Sequence, residues 1–264
     1  TKEMAMECLK GRIALITGAS GGIGAATALR FAREGAIVGV HYNLQEEAAR
    51  KVAQQIQDMG GEAFLVRGNL IHAEEVNRVV QSMLERFQRI DILVNVIGGP
   101  KDSLIHEMSE EAWDTVMDLN VKTAFHCVRA VVPSMIQRKY GRIINISSLA
   151  KNGVPWFVYA RAGRTNYATA NAALIGFTRQ LALELAEYNI TVNCVVPGPL
   201  MTAKTEKLFT AMEKNPDIKV TPGKLIPLRR YGSPDDVAYA IAFFAAEEAG
   251  YITGEELYVS GGLH

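Results

Sequence analysis

A glycine-rich segment, TGASGGIG at residues 17–24, constrains the fold more than any other part of the sequence. It follows an apolar run of strand length, IALIT at 13–17, and it opens a segment with the pattern of a helix. Glycines in such a place let the backbone turn tightly and approach a pyrophosphate, whose charge the free N–H groups and the positive helix end stabilise. The segment predicts a nucleotide-binding turn, and the alternative is a merely tight strand-to-helix connection.

Apolar runs of strand length alternate with segments of helical period along the rest of the chain. This alternation is typical of βαβ units, so we expect an α/β fold: a doubly wound, Rossmann-type sheet of about seven mostly parallel strands with helices on both faces. The predicted strands cover residues 13–17, 36–40, 63–66, 90–94, 142–147, 191–196 and 257–259. Two predicted helical stripes consist of Ala48, Val52, Ile56 and Met59, and of Val76, Val79, Val80, Met83, Leu84 and Phe87.

The domain organisation follows from what interrupts this pattern. No internal repeat, low-complexity tract or linker divides the sequence, so residues 1–264 are predicted to form a single domain. The polar stretch at 203–224 contains Pro216, Pro222 and Gly223 and is predicted to be a mobile substrate lid.

Charge and composition restrict the partners. The 28 Lys and Arg balance the 28 Asp and Glu, so the basic footprint that nucleic acid or an anionic membrane requires is missing. Three scattered cysteines predict no disulfide framework, and five scattered histidines predict no metal site. No apolar run reaches the length of a membrane span. We therefore expect a cytoplasmic protein whose partner is a small molecule, with no nucleic acid and no membrane.

The spacing TGxxxGxG resembles the fingerprint of the short-chain dehydrogenases/reductases, and this resemblance extends along essentially the whole chain. It implies a NAD(P)-binding Rossmann domain. Residues 95–98, Asn-Val-Ile-Gly, stand where the family has Asn-Asn-Ala-Gly, and residues 197–202 match its PGxxxT. The cofactor-binding residues that the resemblance implies are Gly18, Ser20, Gly22, Ile23, Gly24, Tyr42, Asn43, Asn69, Leu70, Asn95, Gly98, Tyr167, Pro197, Gly198 and Thr202.

The end of the second strand bears on the choice of cofactor. An acidic side chain there binds the ribose 2′-hydroxyl of NAD and repels the 2′-phosphate of NADP. This chain has Tyr42 and Asn43 instead, so NADP is favoured over NAD. No Arg or Lys in the glycine-rich loop or directly after Tyr42 is available to pair with the phosphate.

The resemblance also implies the catalytic residues. Ser148 holds the substrate oxygen, Tyr167 moves the proton, and Asn120 orders a water in the proton relay. The family has a lysine four residues after the tyrosine, but this chain has Asn171, so its motif is YxxxN. An amide carries no charge to stabilise the phenolate, and we expect impaired activity unless another group compensates.

Several alternatives stay open at this point. Lys151, Arg161 or Arg164 could supply the missing charge. Tyr159 could replace Tyr167 as the acid. The segment after Ser148 is longer than is usual in the family, and it also contains Trp156 and Phe157. A non-catalytic cofactor-binding subunit, an inactivated variant, or a lyase or isomerase on the same scaffold are alternatives to an active dehydrogenase.

The expected reaction is the interconversion of a carbonyl and a secondary alcohol. Residues 175–185 and 232–238 resemble the 3-oxoacyl thioester reductases, although sugar, steroid and cyclic-alcohol dehydrogenases share this pattern. Arg138, Lys139 and Arg142 form a candidate basic patch for an acyl carrier, or simply a solvated turn. The helices predicted at 121–135 and 167–186 carry more apolar residues than one sheet face requires, which, with the family resemblance, predicts a homotetramer.

Overall fold

Seven parallel strands lie side by side in one sheet in the part of the chain that the computed structural model describes, residues 7–156, 163–218 and 220–264. Their order is β3-β2-β1-β4-β5-β6-β7. The bounds are β1 Ile13–Ile16, β2 Ile37–Tyr42, β3 Ala63–Arg67, β4 Ile92–Asn95, β5 Gly141–Ile146, β6 Ile190–Pro197 and β7 Glu256–Val259. The predicted fold class is confirmed.

Helices connect these strands. The helices are α1 Gly22–Arg33, α2 Glu46–Asp58, α3 Ala73–Phe87, α4 Glu110–Met117, α5 Thr123–Arg138, α6 Thr165–Leu185, α7 Glu206–Lys214, the single turn α8 Pro222–Leu225, and α9 Pro234–Ala245. A π-helical turn, Asp118–Lys122, joins α4 to α5, and short 3₁₀ turns cover Leu149–Asn152, Ala186–Tyr188 and Glu247–Ala249. Among the described residues, no helix is both long and apolar enough to cross a membrane.

The sheet is buried on both faces because alternate residues of each strand point to opposite sides. Ala14 and Ile16 of β1 pack with α1, α2 and α9, whereas Ile13 and Leu15 pack with α3, α5 and α6. The chain winds outward from β1 in both directions, so the strand order reverses between β1 and β4. Ligands of open α/β sheets bind at such a switch point, outside the carboxyl ends of the strands.

The stripe predicted on α2 is partly wrong. Ala49, Val52, Ala53 and Ile56 are buried, whereas Ala48 is partly exposed and Met59, which lies just beyond the end of the helix, is 43% exposed. The buried face is therefore turned by about one residue from the predicted stripe. The stripe predicted on α3 is confirmed, with Val76, Val79, Val80 and Met83 buried and Leu84 and Phe87 packed beside them.

Asp91 ties the amino-terminal edge of the sheet together. It is 2% exposed, and its carboxylate accepts hydrogen bonds from the backbone N–H of Ile13 at 2.9 Å, from Nη1 of Arg138 at 2.7 Å and from Nε of Arg89 at 3.1 Å. One carboxylate thus joins β1, the start of β4 and the end of α5.

Replacing Asp91 with alanine should lower the free energy of unfolding by about 3 kcal/mol, because it leaves the Arg138 guanidinium and a buried N–H without their acceptor. The matched control is Asp58→Ala on the exposed face of α2, which should change that free energy by less than about 0.5 kcal/mol. Urea unfolding of both variants measures the difference. Equal stabilities would show that this carboxylate does not hold the edge together.

Candidate active site

A cavity of about 900 Å³ lies along the carboxyl ends of the strands. Its walls come from the segments that follow β1 to β6, and α6 and the segment before α7 close the other side. Most of the site residues predicted from the sequence line it. They are Gly18, Ser20, Gly22, Ile23, Tyr42, Asn43, Asn69, Leu70, Gly98, Asn120, Ser148, Tyr167, Asn171, Pro197, Gly198 and Thr202.

The glycine-rich loop forms one end of the cavity. Gly18 has a φ of +64°, which favours glycine, and a Cβ on Gly24 would lie only 2.3 Å from the carbonyl oxygen of Gly18. Only glycine lets α1 begin this close to β1. Helix α1 has no acidic residue in its first turn, so its positive end is free for an anion. Gly24 itself lies behind the lining, and the cradle in front of it fits the pyrophosphate of a dinucleotide.

His41 holds this loop in place, and the sequence analysis missed it. The backbone N–H of Gly18 donates to Nδ1 of His41 at 3.1 Å, and Nε2 lies 2.9 Å from the carbonyl oxygen of Gly68. These partners require the neutral tautomer with its proton on Nε2. Burial lowers the pKa of His41 to about 4, so the ring is neutral at physiological pH. The only sequence signal was a polar residue within a buried strand.

The cavity continues past the end of β2, where Tyr42 and Asn43 line it. Asn69 and Leu70 form the neighbouring wall, and Oδ1 of Asn69 accepts a hydrogen bond from the backbone N–H of Ile71 at 3.3 Å. No aspartate or glutamate occurs among the described residues that line the cavity.

The segment after β4 departs from the family pattern, and its bulky residues face the cavity. Val96 and Ile97 line it, and their backbone N–H groups donate to Oγ1 of Thr17 at 2.9 and 3.4 Å. Asn95 lies behind this wall, where its Nδ2 donates to Oδ1 of Asn145 at 2.9 Å. Asn95 therefore joins β4 to β5 and is placed to support the cofactor site rather than to line it.

Asn120 lies in the π-helical turn between α4 and α5. It is 3% exposed, and its side chain makes two hydrogen bonds with the backbone of Gly99, one accepted at 3.1 Å and one donated at 3.0 Å. A Cβ on Gly98 would come within 2.5 Å of the Asn120 Oδ1. The structure thus places this side chain against the loop after β4, and among the described residues no hydrogen bond joins it to Tyr167.

Ser148 and Tyr167 meet within the cavity. Ser148 follows β5, Tyr167 lies in the first turn of α6, and the two side chains line the cavity close enough to interact. Desolvation raises the pKa of Tyr167, while the hydrogen bond with Ser148, the positive charge of Arg164 and a hydrogen bond with Asn171 act to lower it. The net effect is a raised pKa, so the hydroxyl is a neutral proton donor at neutral pH.

Asn171 lies one helical turn after Tyr167 and is 2% exposed. Its Nδ2 donates to the backbone carbonyl of Tyr167 at 2.8 Å, and its own backbone carbonyl accepts from Oγ of Ser147 at 2.9 Å. The backbone carbonyl of Asn171 thus connects the helix to the segment after β5, and the side-chain amide brings no charge to the reacting groups.

The candidates for the missing positive charge differ in whether they line the cavity. Lys151 pairs with Glu256 at 2.9 Å and is not part of the cavity lining. Arg164 lines the cavity, and its guanidinium donates two hydrogen bonds to Asp102. Phe157, Tyr159 and Arg161 lie outside the described residues.

The far end of the cavity is apolar. Its lining includes Leu149, Val154, Trp156, Leu200 and Phe209, of which Leu149, Trp156 and Phe209 belong to one buried cluster. Phe209 comes from α7, within the predicted lid. The hydroxyl of Thr202 lies 3.0 Å from that of Thr205, which fixes the segment between β6 and α7.

The candidate basic patch for an acyl carrier does not lie beside this cavity. Arg138 and Lys139 end α5 and Arg142 lies in the first part of β5, at the amino-terminal edge of the sheet, whereas the cavity lies at the carboxyl edge. Arg142 is also only 2% exposed. That prediction was wrong because residues that precede a parallel strand lie at the opposite edge from its carboxyl end.

Comparison with known proteins agrees with this geometry. A model of the short-chain dehydrogenase/reductase family, described as enoyl-(acyl carrier protein) reductase, matches residues 18–264. The chain is 42% identical to the 3-oxoacyl-[acyl-carrier-protein] reductase of Synechocystis sp., over 98% of this chain and 99% of that one. It is 39% identical to the Thermotoga maritima protein of the same name, over 97% and 98% of the two chains. The chain therefore belongs to the short-chain dehydrogenase/reductase family and is a short-chain NAD(P)-dependent reductase.

Proposed function

We propose that this chain reduces the ketone of a 3-oxoacyl thioester to a secondary alcohol with NADPH. The observation that carries this proposal is the pair of interacting Ser148 and Tyr167 side chains, which lines a cavity that begins at a pyrophosphate cradle. The relatives at 37–42% identity are named for 3-oxoacyl reduction. Carbonyl reduction also fits the protonation state of Tyr167, because a neutral phenol is the proton donor that it needs.

Each residue has a distinct task in this proposal. NADPH, held by the glycine cradle and by the segments after β2 and β3, would supply the hydride for the carbonyl carbon. Tyr167 donates its hydroxyl proton to the carbonyl oxygen, and the Ser148 hydroxyl holds the same oxygen by a hydrogen bond. Asn171 fixes the Tyr167 backbone, and Asn120 holds the Gly98–Gly99 loop against the cavity. We also propose that Asn120 orders a water molecule in the proton relay.

The apolar end of the cavity supports an acyl substrate. Leu149, Val154, Trp156 and Phe209 offer surface to a hydrocarbon chain beyond the Ser148–Tyr167 pair. Phe209 makes α7 part of this wall, which supports the interpretation of 203–224 as a substrate lid on a single NAD(P)-binding domain. A small-molecule carbonyl or alcohol is thus the proposed partner.

Enoyl reduction is a second candidate because the matching family model is described by it. Two hydroxyl groups that converge on one point favour a carbonyl oxygen, since that atom gains the charge when hydride arrives at the neighbouring carbon.

A cytoplasmic location is also proposed. All three cysteines are free thiols, and burial raises the pKa of Cys127 and Cys194 to about 12.

The direct test is to compare acetoacetyl and crotonyl thioesters as substrates with NADPH, following the loss of reduced cofactor. We expect turnover of the 3-oxo compound and a loss of about 100-fold or more in Tyr167→Phe, the scale of a general acid contribution. Tyr251→Phe is the matched control because Tyr251 is fully exposed. Faster reduction of the crotonyl thioester would favour the enoyl activity. Nucleotide binding with neither reaction would favour a non-catalytic cofactor-binding subunit.

The cofactor preference generates a second prediction. Tyr42 and Asn43 leave the ribose end of the cavity without a carboxylate, and Arg50 of α2, paired with Glu46, lies within electrostatic range of Tyr42. We expect NADPH to bind at least about tenfold more tightly than NADH. Tyr42→Asp should reverse this preference because a carboxylate repels the 2′-phosphate, whereas Tyr42→Phe should keep it. Fluorescence titration measures both affinities, and tighter binding of NADH by the unaltered chain would contradict the prediction.

We also propose that the chain forms a homotetramer. Phe125 of α5 is 42% exposed and Leu183 of α6 is 76% exposed, although both helices already pack a different face on the sheet. Light scattering at micromolar concentration should give the mass of four chains. Leu183→Lys should lower that mass by placing a charge in the contact, while Leu44→Lys, at an exposed position before α2, should not. A monomer mass for the unaltered chain would refute the proposal.

A further inference from the structure

Arg164 lies immediately before α6 and three residues before Tyr167. The centre of its guanidinium lies 5.8 Å from the centre of the Tyr167 ring. Its Nε and Nη2 donate to the two carboxylate oxygens of Asp102, each at 2.8 Å. The Arg164 side chain is 16% exposed and that of Asp102 is 28% exposed, so the pair is largely shielded from solvent.

A charge at this place matters because a buried phenol is a weak acid. Ionisation of Tyr167 is opposed by desolvation, and the neutral amide of Asn171 cannot offset that cost as a cation can. The reverse reaction, oxidation of an alcohol, needs the phenolate as the base that takes the hydroxyl proton. The position and charge of any nearby cation therefore set the pH range in which that direction operates.

Few charged groups face Tyr167. Of the described residues that line the cavity, Arg164 and Lys204 carry a permanent charge, and Lys204 is exposed on the segment between β6 and α7. Lys151, beyond Ser148, is engaged by Glu256 outside the lining. Lys101, in the loop that also carries Asp102, pairs with Glu111 of α4. Arg164 is thus a shielded cation that lies against the phenol ring.

We propose that Arg164 supplies the positive charge that stabilises the Tyr167 phenolate in this chain, and that Asp102 limits how strongly it does so. Arg164 acts through Tyr167 and is a positioning residue in this sense, and the role rests on the proposed carbonyl–alcohol function. The two charges act in opposite directions: Arg164 lowers the pKa of Tyr167 and the more weakly acting Asp102 raises it. A bidentate pair also fixes the guanidinium plane, so the distance from charge to phenol is held constant.

Because the two charges act in opposite directions, removing each of them should shift the midpoint of Tyr167 ionisation in opposite directions. The ionisation of Tyr167 is read from the ultraviolet absorbance of the phenolate, as the difference between each protein and the same protein with Tyr167→Phe. Arg164→Gln should raise the midpoint by about one pH unit, a tenfold weaker acid, and Asp102→Asn should lower it. Arg164→Lys should keep most of the effect, since it keeps the charge. Combining Arg164→Gln with Asn171→Lys should restore the midpoint by placing a cation one turn from Tyr167.

Arg230→Gln is the matched control, because Arg230 forms a similar bidentate pair with Asp236 away from the cavity lining. It should leave the Tyr167 midpoint unchanged. Melting temperatures verify that each variant is folded, and if Arg164→Gln does not fold, the lowered midpoint expected for Asp102→Asn still tests the proposal. Equal midpoints for Arg164→Gln and Arg230→Gln, or a shift of Asp102→Asn in the same direction as Arg164→Gln, would overturn the proposal. A larger shift in Lys204→Gln than in Arg164→Gln would assign the role to Lys204 instead.

The titration needs neither substrate nor cofactor, so its outcome is independent of the proposed function. The pH profile of alcohol oxidation provides a second readout, and its midpoint should follow the titration from variant to variant. Shifted midpoints without any carbonyl or alcohol turnover would leave the electrostatic role standing and refute the proposed reaction. Turnover of a carbonyl or alcohol with unshifted midpoints would support the proposed reaction and refute the electrostatic role of Arg164.

Discussion

The close approach of two glycines is the constraint on which the rest of the structure depends. Helix α1 can begin directly over the end of β1 because Gly24 has no side chain to strike the Gly18 carbonyl. That approach leaves the N-terminal end of α1 open at the switch point between β1 and β4, where an anion is stabilised by unpaired N–H groups. His41 and Thr17 then fix the loop to the neighbouring strands with hydrogen bonds. The nucleotide end of the cavity is therefore held by backbone hydrogen bonds, and no acidic side chain is among its described lining residues.

The opposite end of the cavity has different chemistry. Tyr167 is desolvated, and the groups that act on its ionisation come from three separate segments: Ser148 after β5, Asn171 on α6, and the Arg164–Asp102 pair beside the start of that helix. A lysine in place of Asn171 would concentrate the positive charge on one helical turn. This chain places a neutral amide there and an ion pair across the ring, so the charge is more distant and partly balanced. The apolar end of the cavity excludes water and so strengthens the electrostatic effect of each of these charges on Tyr167.

Much of this could be predicted from the sequence, because local patterns encode it. Buried parallel strands are continuous apolar runs, and the glycine spacing is set by a local turn. The family resemblance of the surrounding segments implied Ser148, Tyr167 and Asn171. The parts that escaped prediction depend on contacts between distant residues. Asp102 is far from Arg164 in sequence, His41 joins two glycines that follow different strands, and Asn120 holds a loop after β4. The error over the basic patch is of a different kind, because the sequence could have prevented it. The patch precedes or begins a parallel strand, so it lies at the amino-terminal edge of the sheet, opposite the cavity.

The walls of the cavity are drawn from residues as far apart as Gly18 and Pro234, and this has a consequence for how the protein is made. The glycine cradle is synthesised early, but β4 must pair with β1 before the cavity wall that follows β4 can form. Helices α6 and α7, which close the other side of the cavity, are synthesised later still. Such long-range parallel pairing folds slowly. The full contribution of a bound ligand to stability therefore becomes available only when most of the chain has emerged and joined the sheet.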